Sequence, residues 1–73
     1  GGERALNDYT FEAYTAGAVA MSAALYSSQG HLVASASQAG NTVTISAAGQ
    51  NKGVYILRIS DGKQTHAQKV VVR

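Results

Sequence analysis

Residues 53–62 read GVYILRISDG, and this stretch decides the fold. The segment Val54–Ile59 is apolar on both faces of an extended chain apart from Arg58, and it is rich in the β-branched and aromatic residues that strands favour. Such a run is typical of a central strand. Asp61-Gly62 is the strongest short hairpin signal in the chain, because both residues tolerate the positive φ values of a tight type I′ turn. The stretch therefore predicts a central strand and a returning partner.

Period-two alternation of side chains predicts the other strands on either side of this hairpin. In the cleanest of them, Val43 and Ile45 lie on the buried side, and in the returning arm Val70 and Val72 lie on one side. The strands predicted in this way are Tyr9–Tyr14, Val19–Tyr26, His31–Ser37, Thr42–Ser46, Val54–Ile59 and Thr65–Val72. Gly53 is expected to begin the central strand in a left-handed or tightly packed conformation.

The second of these strands has a competing interpretation. Its apolar side would hold Val19, Met21, Ala23 and Leu25, which is strand spacing. A helix over Ala18–Leu25 is the main competitor, because alanine is the best helix former and a poor strand residue. The serine-rich turn over Ser27–Gly30 bounds the segment tightly and favours the strand.

Short strands at roughly 8 to 12 residue spacing, joined by glycine-containing turns, predict an all-β fold. We expect an antiparallel immunoglobulin-like or Greek-key β-sandwich of about six to seven short strands. A chain of 73 residues has room for one such domain. We place it at residues 9–73 and interpret residues 1–8 as a linker or expression remnant. With no proline to block the sheet edges, two copies are expected to pair as a homodimer through edge strands.

Composition narrows the function. The chain is 45% apolar and 14% charged, so it should fold, and it has no cysteine for a disulfide or a reactive thiolate. Its net charge is +2, but the charge is uneven. The second half of the chain carries five of its six basic residues against Asp61 alone, and these are Lys52, Arg58, Lys63, Lys69 and Arg73. They are either a solvated surface or an electrostatic handle for an acidic receptor.

No constellation of residues predicts catalysis, a metal site or a cofactor site. Ser27 or Ser28, His31 and Asp61 could be combined into a triad on paper, but no nucleophile elbow is present. Two histidines without cysteine do not predict a zinc site, and the scattered glycines do not form a phosphate loop. We therefore expect no enzyme activity, no cofactor, no metal and no nucleic-acid partner.

Three blocks of sequence carry a resemblance to a known family. They are Leu25–Val33, Gly53–Ile59 and Lys69–Arg73, and they occur in that order. The chain resembles the C-terminal sorting domain of type IX secretion substrates in Bacteroidetes, including the gingipains. In that family an apolar-aromatic strand runs into a turn closed by glycine, a loop ends in Gly-Val-Tyr, and a lysine precedes alternating β-branched residues at the end. This chain departs in lacking proline and in having Ser27 where the turn often has aspartate.

The resemblance implies that the domain is a sorting signal and not an enzyme. The implied partners are the type IX outer-membrane translocon, a sortase-like peptidase that removes the domain from many cargos, and an upstream cargo domain in the same polypeptide. The implied destination, by way of the periplasm, is the outer membrane and cell surface or the extracellular space. We expect translocon recognition at Gly53, Val54, Tyr55, Lys69, Val70, Val71, Val72 and Arg73, with Ser27 and Gly30 as the turn motif. Cleavage is expected at or upstream of residues 1–8.

Other functions stay open from the residues alone. The chain has five aromatic residues, Tyr9, Phe11, Tyr14, Tyr26 and Tyr55, and exposed aromatic faces could stack on sugars in a carbohydrate-binding module. The competing interpretation puts Phe11 and Tyr55 in the core. A structural or adhesive β-module is a further alternative, as is a domain retained by a component of the secretion machinery.

Overall fold

The computed structural model describes residues 2–73 and contains seven β-strands with no helix among those residues. The strands are β1 (Gly2–Ala5), β2 (Thr10–Tyr14), β3 (Ala20–Ser27), β4 (Leu32–Ala39), β5 (Thr42–Ser46), β6 (Gly53–Ser60) and β7 (Thr65–Val72). The predicted all-β class is confirmed. The helix considered for Ala18–Leu25 is excluded, since β3 pairs with β4 on one side and β6 on the other. Two flanking ladders outweigh the helix preference of alanine.

The strands form two antiparallel sheets. The first has the order β1-β2-β5 and the second β4-β3-β6-β7. Three hairpins, β1–β2, β3–β4 and β6–β7, each join strands that are neighbours in one sheet. The chain crosses between the sheets from β2 to β3, from β4 to β5 and from β5 to β6. This is an immunoglobulin-like Greek-key arrangement. β6 is a central strand, as its apolar run predicts.

The core lies between the sheets and consists of alternate residues from five strands and one loop. Its buried members are Phe11, Ala13, Met21, Ala23, Leu25, Val43, Ile45, Ala47, Tyr55, Leu57, Ile59, Val70 and Val72. No polar or charged side chain of residues 2–73 is buried with them. The predicted inward positions of β5 and β7 are confirmed. Val19 is an exception, because it precedes β3 and is 86% exposed.

A β-bulge shifts the alternation of β4. Tyr26 pairs with Leu32 and Leu25 pairs with Ala34, so Val33 is an extra residue on the β4 side. The bulge turns Leu32 outward, where it is exposed, and leaves Val33 and Ala34 both partly buried against the core. Strict alternation along His31–Ser37 would have placed Leu32 and Ala34 on the same side.

The turn at Asp61-Gly62 differs from the prediction. Ser60 pairs with Thr65, so the loop has four residues instead of two, and Asp61 does not have a positive φ. A type I′ turn is therefore wrong here. The Asp61 carboxylate instead accepts hydrogen bonds from the backbone N–H of Gln64 at 2.8 Å and of Lys63 at 2.9 Å. These bonds stabilise a wider loop around Gly62, whose φ is 90°.

β1 is not among the strands predicted from the sequence. It pairs with β2 from Gly2↔Tyr14 to Ala5↔Phe11. Two side-chain contacts hold it: Arg4 with Glu12 at 3.2 Å, and Glu3 with His66 of β7 in the opposite sheet. Gly1, assigned to the linker, lies outside the described residues. The start of the folded domain at residue 9 stays a prediction.

Candidate recognition site

The structure brings the three sequence blocks together at one end of the four-stranded sheet. β6 and β7 are aligned so that Gly53 pairs with Val72 and Val54 with Val71. On the other side of β6, Tyr55 pairs with Ser27 at the end of β3. The β3–β4 turn, the start of β6 and the end of β7 therefore meet at this end, which we call the recognition end.

The β3–β4 turn is closed by main-chain and side-chain hydrogen bonds around Ser27. Its N–H donates to the carbonyl oxygen of His31 at 2.8 Å, and its carbonyl oxygen accepts from Gly30 N–H at 2.9 Å. The Ser27 hydroxyl oxygen accepts from His31 N–H at 3.2 Å. Gly30 has a φ of 86°, as expected for a glycine that closes the turn. Serine thus supplies the side-chain acceptor at the position where the family often has aspartate.

The loop before β6 is held by Gly53 and Tyr55. Gly53 has a φ of 146°, which confirms the unusual backbone expected there. The Tyr55 ring is buried, and its hydroxyl donates a hydrogen bond of 2.6 Å to the carbonyl oxygen of Asn51. A tyrosine near the start of this strand that bonds back to the preceding loop is typical of immunoglobulin-like domains. The Gly-Val-Tyr block therefore fixes the β5–β6 loop, and Asn51 is a member of the site that the sequence did not reveal.

Apart from Gly53, which is partly buried, the residues expected to contact the translocon divide into two groups. Tyr55, Val70 and Val72 are buried in the core. The exposed residues are Val54, Lys69, Val71 and Arg73. The backbone N–H of Arg73 donates to the carbonyl oxygen of Asp8 at 3.0 Å, which ties the end of β7 to the β1–β2 loop. Only the exposed group can touch a partner directly.

The carboxylates of the strands all belong to one sheet. The strands of the four-stranded sheet carry Arg58 and Lys69 and contain no aspartate or glutamate. Glu3 and Glu12 belong to the three-stranded sheet, where Glu12 contacts Arg4, while Glu3 contacts His66 of β7 in the other sheet. Asp61 lies at the end opposite the recognition end, because Ser60 pairs with Ser22 at the start of β3. The recognition end is therefore basic at its β7 side.

The structure does not assemble the triad considered from the sequence. His31 lies in the β3–β4 turn, and Asp61 lies at the other end of the sheet. Among residues 2–73, no group of three or more histidine and acidic side chains could hold a metal ion, and no helix is long and apolar enough to cross a bilayer.

The aromatic side chains do not share one face. Phe11 and Tyr55 are buried, as their core interpretation predicts. Tyr9, directly before β2, and Tyr14, at the end of β2, are exposed, and Tyr26 is half-buried in the other sheet. Nothing in this distribution forms a stacking platform for a sugar.

Comparisons with known proteins agree with this geometry. The family model described as "Secretion system C-terminal sorting domain" matches residues 8–73, which include β2 to β7 but not β1. No match was found among curated proteins or among solved structures. The sorting signal of this family belongs to type IX secretion and marks cargo polypeptides for export to the cell surface or extracellular space, and the family is not a catalytic one. The chain belongs to the family of secretion system C-terminal sorting domains, and it is a type IX sorting signal.

Proposed function

We propose that the recognition end is the part of this sorting signal that the type IX outer-membrane translocon binds, and that a sortase-like peptidase removes the domain after export. The observation that carries the proposal is the convergence of the three sequence blocks at one end of one sheet. Residues far apart in the chain would then act as one surface. The buried residues Tyr55, Val70 and Val72 hold the shape of that surface, and Val54, Lys69, Val71 and Arg73 contact the partner.

β7 offers a physical mode of binding. It is the last strand in the order of its sheet, so one of its edges has no strand partner within residues 2–73. A partner strand can add to such an edge through main-chain hydrogen bonds, while alternate side chains give specificity. Lys69 and Arg73 would steer the encounter with an acidic partner, an effect that weakens with rising ionic strength.

The test is a reporter protein fused to this domain in a cell competent for type IX secretion. We expect the reporter to be exported with the intact domain and retained when residues 71–73 are deleted. The deletion also removes Val72, which is buried. A double variant, Lys69→Glu with Arg73→Glu, keeps the core intact and is also expected to reduce export. Lys63→Glu in the β6–β7 loop is the matched control. Full export by deletion and charge variants that remain folded by circular dichroism would refute the recognition role.

Removal of the domain has a separate readout. We expect mass spectrometry of the exported reporter to show cleavage at or upstream of residues 1–8, with an uncleaved product in cells that lack the peptidase. An exported reporter that keeps the whole domain in normal cells would instead identify it as a retained domain.

The free edge of β7 also permits pairing between two copies. Light scattering of the isolated domain is expected to show a dimer whose population grows with concentration. A monomer at all concentrations would exclude this pairing.

A further inference from the structure

The outer face of the four-stranded sheet is unusually apolar for a surface open to solvent. Tyr55, Leu57 and Ile59 of β6 point to the core, so Val54 and Ile56 point outward. A strand that is apolar on both faces is typical of a sheet covered on both sides. The other sheet covers one face of β6, and no part of residues 2–73 covers the second.

The register extends this apolar surface across all four strands. Ile56 pairs with Tyr26, which in turn pairs with Leu32, and residues paired across a ladder point to the same face. Next to this row, Val54 pairs with Val71. Four of these five side chains are 37% to 58% exposed, and Tyr26 is half-buried. We call Tyr26, Leu32, Val54, Ile56 and Val71 the outer patch.

The two outer faces of the sandwich differ in chemistry. The outward positions of β2 and β5 are mostly hydroxyl-bearing, and the charges there are compensated, with Glu12 against Arg4 at 3.2 Å. Beside the outer patch, Lys69 pairs with Ile56, and Arg58 is two residues further along β6 on the same face. Both are exposed, and no carboxylate shares these strands with them. The apolar surface therefore has a one-sided basic margin.

We propose that the outer patch is a docking surface for a partner protein whose contact is apolar at its centre and carries carboxylates opposite Arg58 and Lys69. This inference deepens the proposed function and rests on it: it adds the sheet face, with Tyr26, Leu32, Ile56 and Arg58, to the surface that the secretion machinery recognises. Contiguous exposed apolar surface marks interaction sites in soluble domains, and uncompensated charge at its margin selects partners of opposite charge.

Charge argues against the other two occupants of such a face. A second copy stacked face to face would bring the Arg58 and Lys69 side chains of both copies to one apolar interface without a carboxylate between them. Anionic lipid surfaces are recognised by clusters of about four to eight basic residues, whereas this face has two.

The experiment uses the reporter fusion with Ile56→Thr and Arg58→Glu. Threonine keeps the β-branched shape that strands favour, so β6 is expected to form. Val19→Thr is the matched control for Ile56→Thr, since Val19 is more exposed and lies outside the outer patch. Lys63→Glu is the matched control for Arg58→Glu, because it also replaces a basic side chain with glutamate but lies outside the outer patch and its margin. We expect Ile56→Thr in the outer patch and Arg58→Glu at its margin each to reduce export about tenfold, as truncation at a binding hot spot does, while both controls export normally.

The outcomes separate the two proposals. Failure of the unmodified domain to export the reporter overturns the proposed function. Export by the unmodified domain together with equal export by folded Ile56→Thr and Arg58→Glu variants overturns the outer patch. Two measurements on the purified domain also overturn it: self-association that Ile56→Thr abolishes, or binding to phosphatidylserine vesicles that Arg58→Glu abolishes.

Discussion

At Gly53 the backbone conformation, and not the space around it, rules out a side chain. A Cβ built there meets no atom within 4 Å. The φ of Gly53, however, is 146°, which lies in a region that residues with a side chain rarely adopt. We expect Gly53→Ala and Gly53→Val to destabilise the domain by about 1 kcal/mol or more, which lowers Tm by roughly 4–8 °C in a domain of this size. Thermal melts followed by circular dichroism measure the change.

The control for this prediction is Gly2→Ala. Gly2 also has open space around it, and it lies in the extended strand β1. Its replacement is expected to change Tm by less than half as much. Equal melting curves for the Gly53 variants and the unmodified domain would show that the conformation at Gly53 carries no cost.

Single residues were predicted well where the local rule is strong. Gly30 closes its turn and Gly53 has a positive φ, since few other residues take these conformations. The rule failed at Asp61. There the carboxylate accepts hydrogen bonds from two backbone N–H groups, and these bonds stabilise a wider loop in place of a type I′ turn. Val19 fits the period of β3 but lies before the strand begins, and the period alone cannot mark that boundary.

At the scale of elements, the β6–β7 loop is expected to be sensitive to acid. Hydrogen bonds from the backbone N–H groups of Gln64 and Lys63 lower the pKa of Asp61 from its ordinary value of 3.8. A group with a lowered pKa in the folded state stabilises that state above its unfolded pKa and loses this contribution as the pH falls through the folded pKa. The domain should therefore lose stability as the pH falls below 3.8.

The variant Asp61→Asn isolates this effect. Its amide oxygen can still accept hydrogen bonds but does not titrate in this range. We expect Tm of the unmodified domain to fall more than Tm of the variant when melts at pH 5 are compared with melts in stronger acid. Parallel declines in both proteins would assign the acid sensitivity to other carboxylates.

The central strand gives a direct test of which face is covered. Leu57 is buried in the core, and its neighbour Ile56 lies in the outer patch. Leu57→Ala should cost about 2–5 kcal/mol, and Ile56→Thr less than about 1 kcal/mol. Chemical denaturation of both variants measures the difference. Similar losses would mean that Ile56 is already packed in the isolated domain.

Six of the seven strands could be predicted, five because side-chain alternation reflects one buried face and β6 because of its apolar run. β1 has no such signal: its four residues, GERA, include a single apolar side chain, and the strand forms by pairing with β2 and through the contacts of Glu3 and Arg4. The bulge opposite Tyr26 could not be predicted from the sequence either. Val33 is apolar like its neighbours, and only the pairing of β4 with β3 decides which residue of β4 is left unpaired.

At the scale of the whole molecule, the order of the three blocks identified the family from sequence, whereas their meeting point required the structure. That meeting depends on the β3–β6 ladder, which pairs Ser27 with Tyr55. The two strands are neighbours in the sheet, although β4 and β5 separate them in the sequence. No local pattern encodes such a register. The outer patch had a partial signal in the two apolar faces of β6, but only the sheet order shows that one of them is left uncovered.

The β3–β6 ladder also bears on how the chain reaches this shape. Its two strands can meet only after a loop that contains all of β4 and β5 has closed, and such non-local pairing slows folding to milliseconds or seconds in domains rich in sheet. With neither proline nor cysteine in the sequence, no prolyl isomerisation or disulfide exchange can add a slower phase. Stopped-flow refolding should therefore show one exponential on that timescale. A newly made chain then has a brief interval in which it is still unfolded and can pass through a narrow channel.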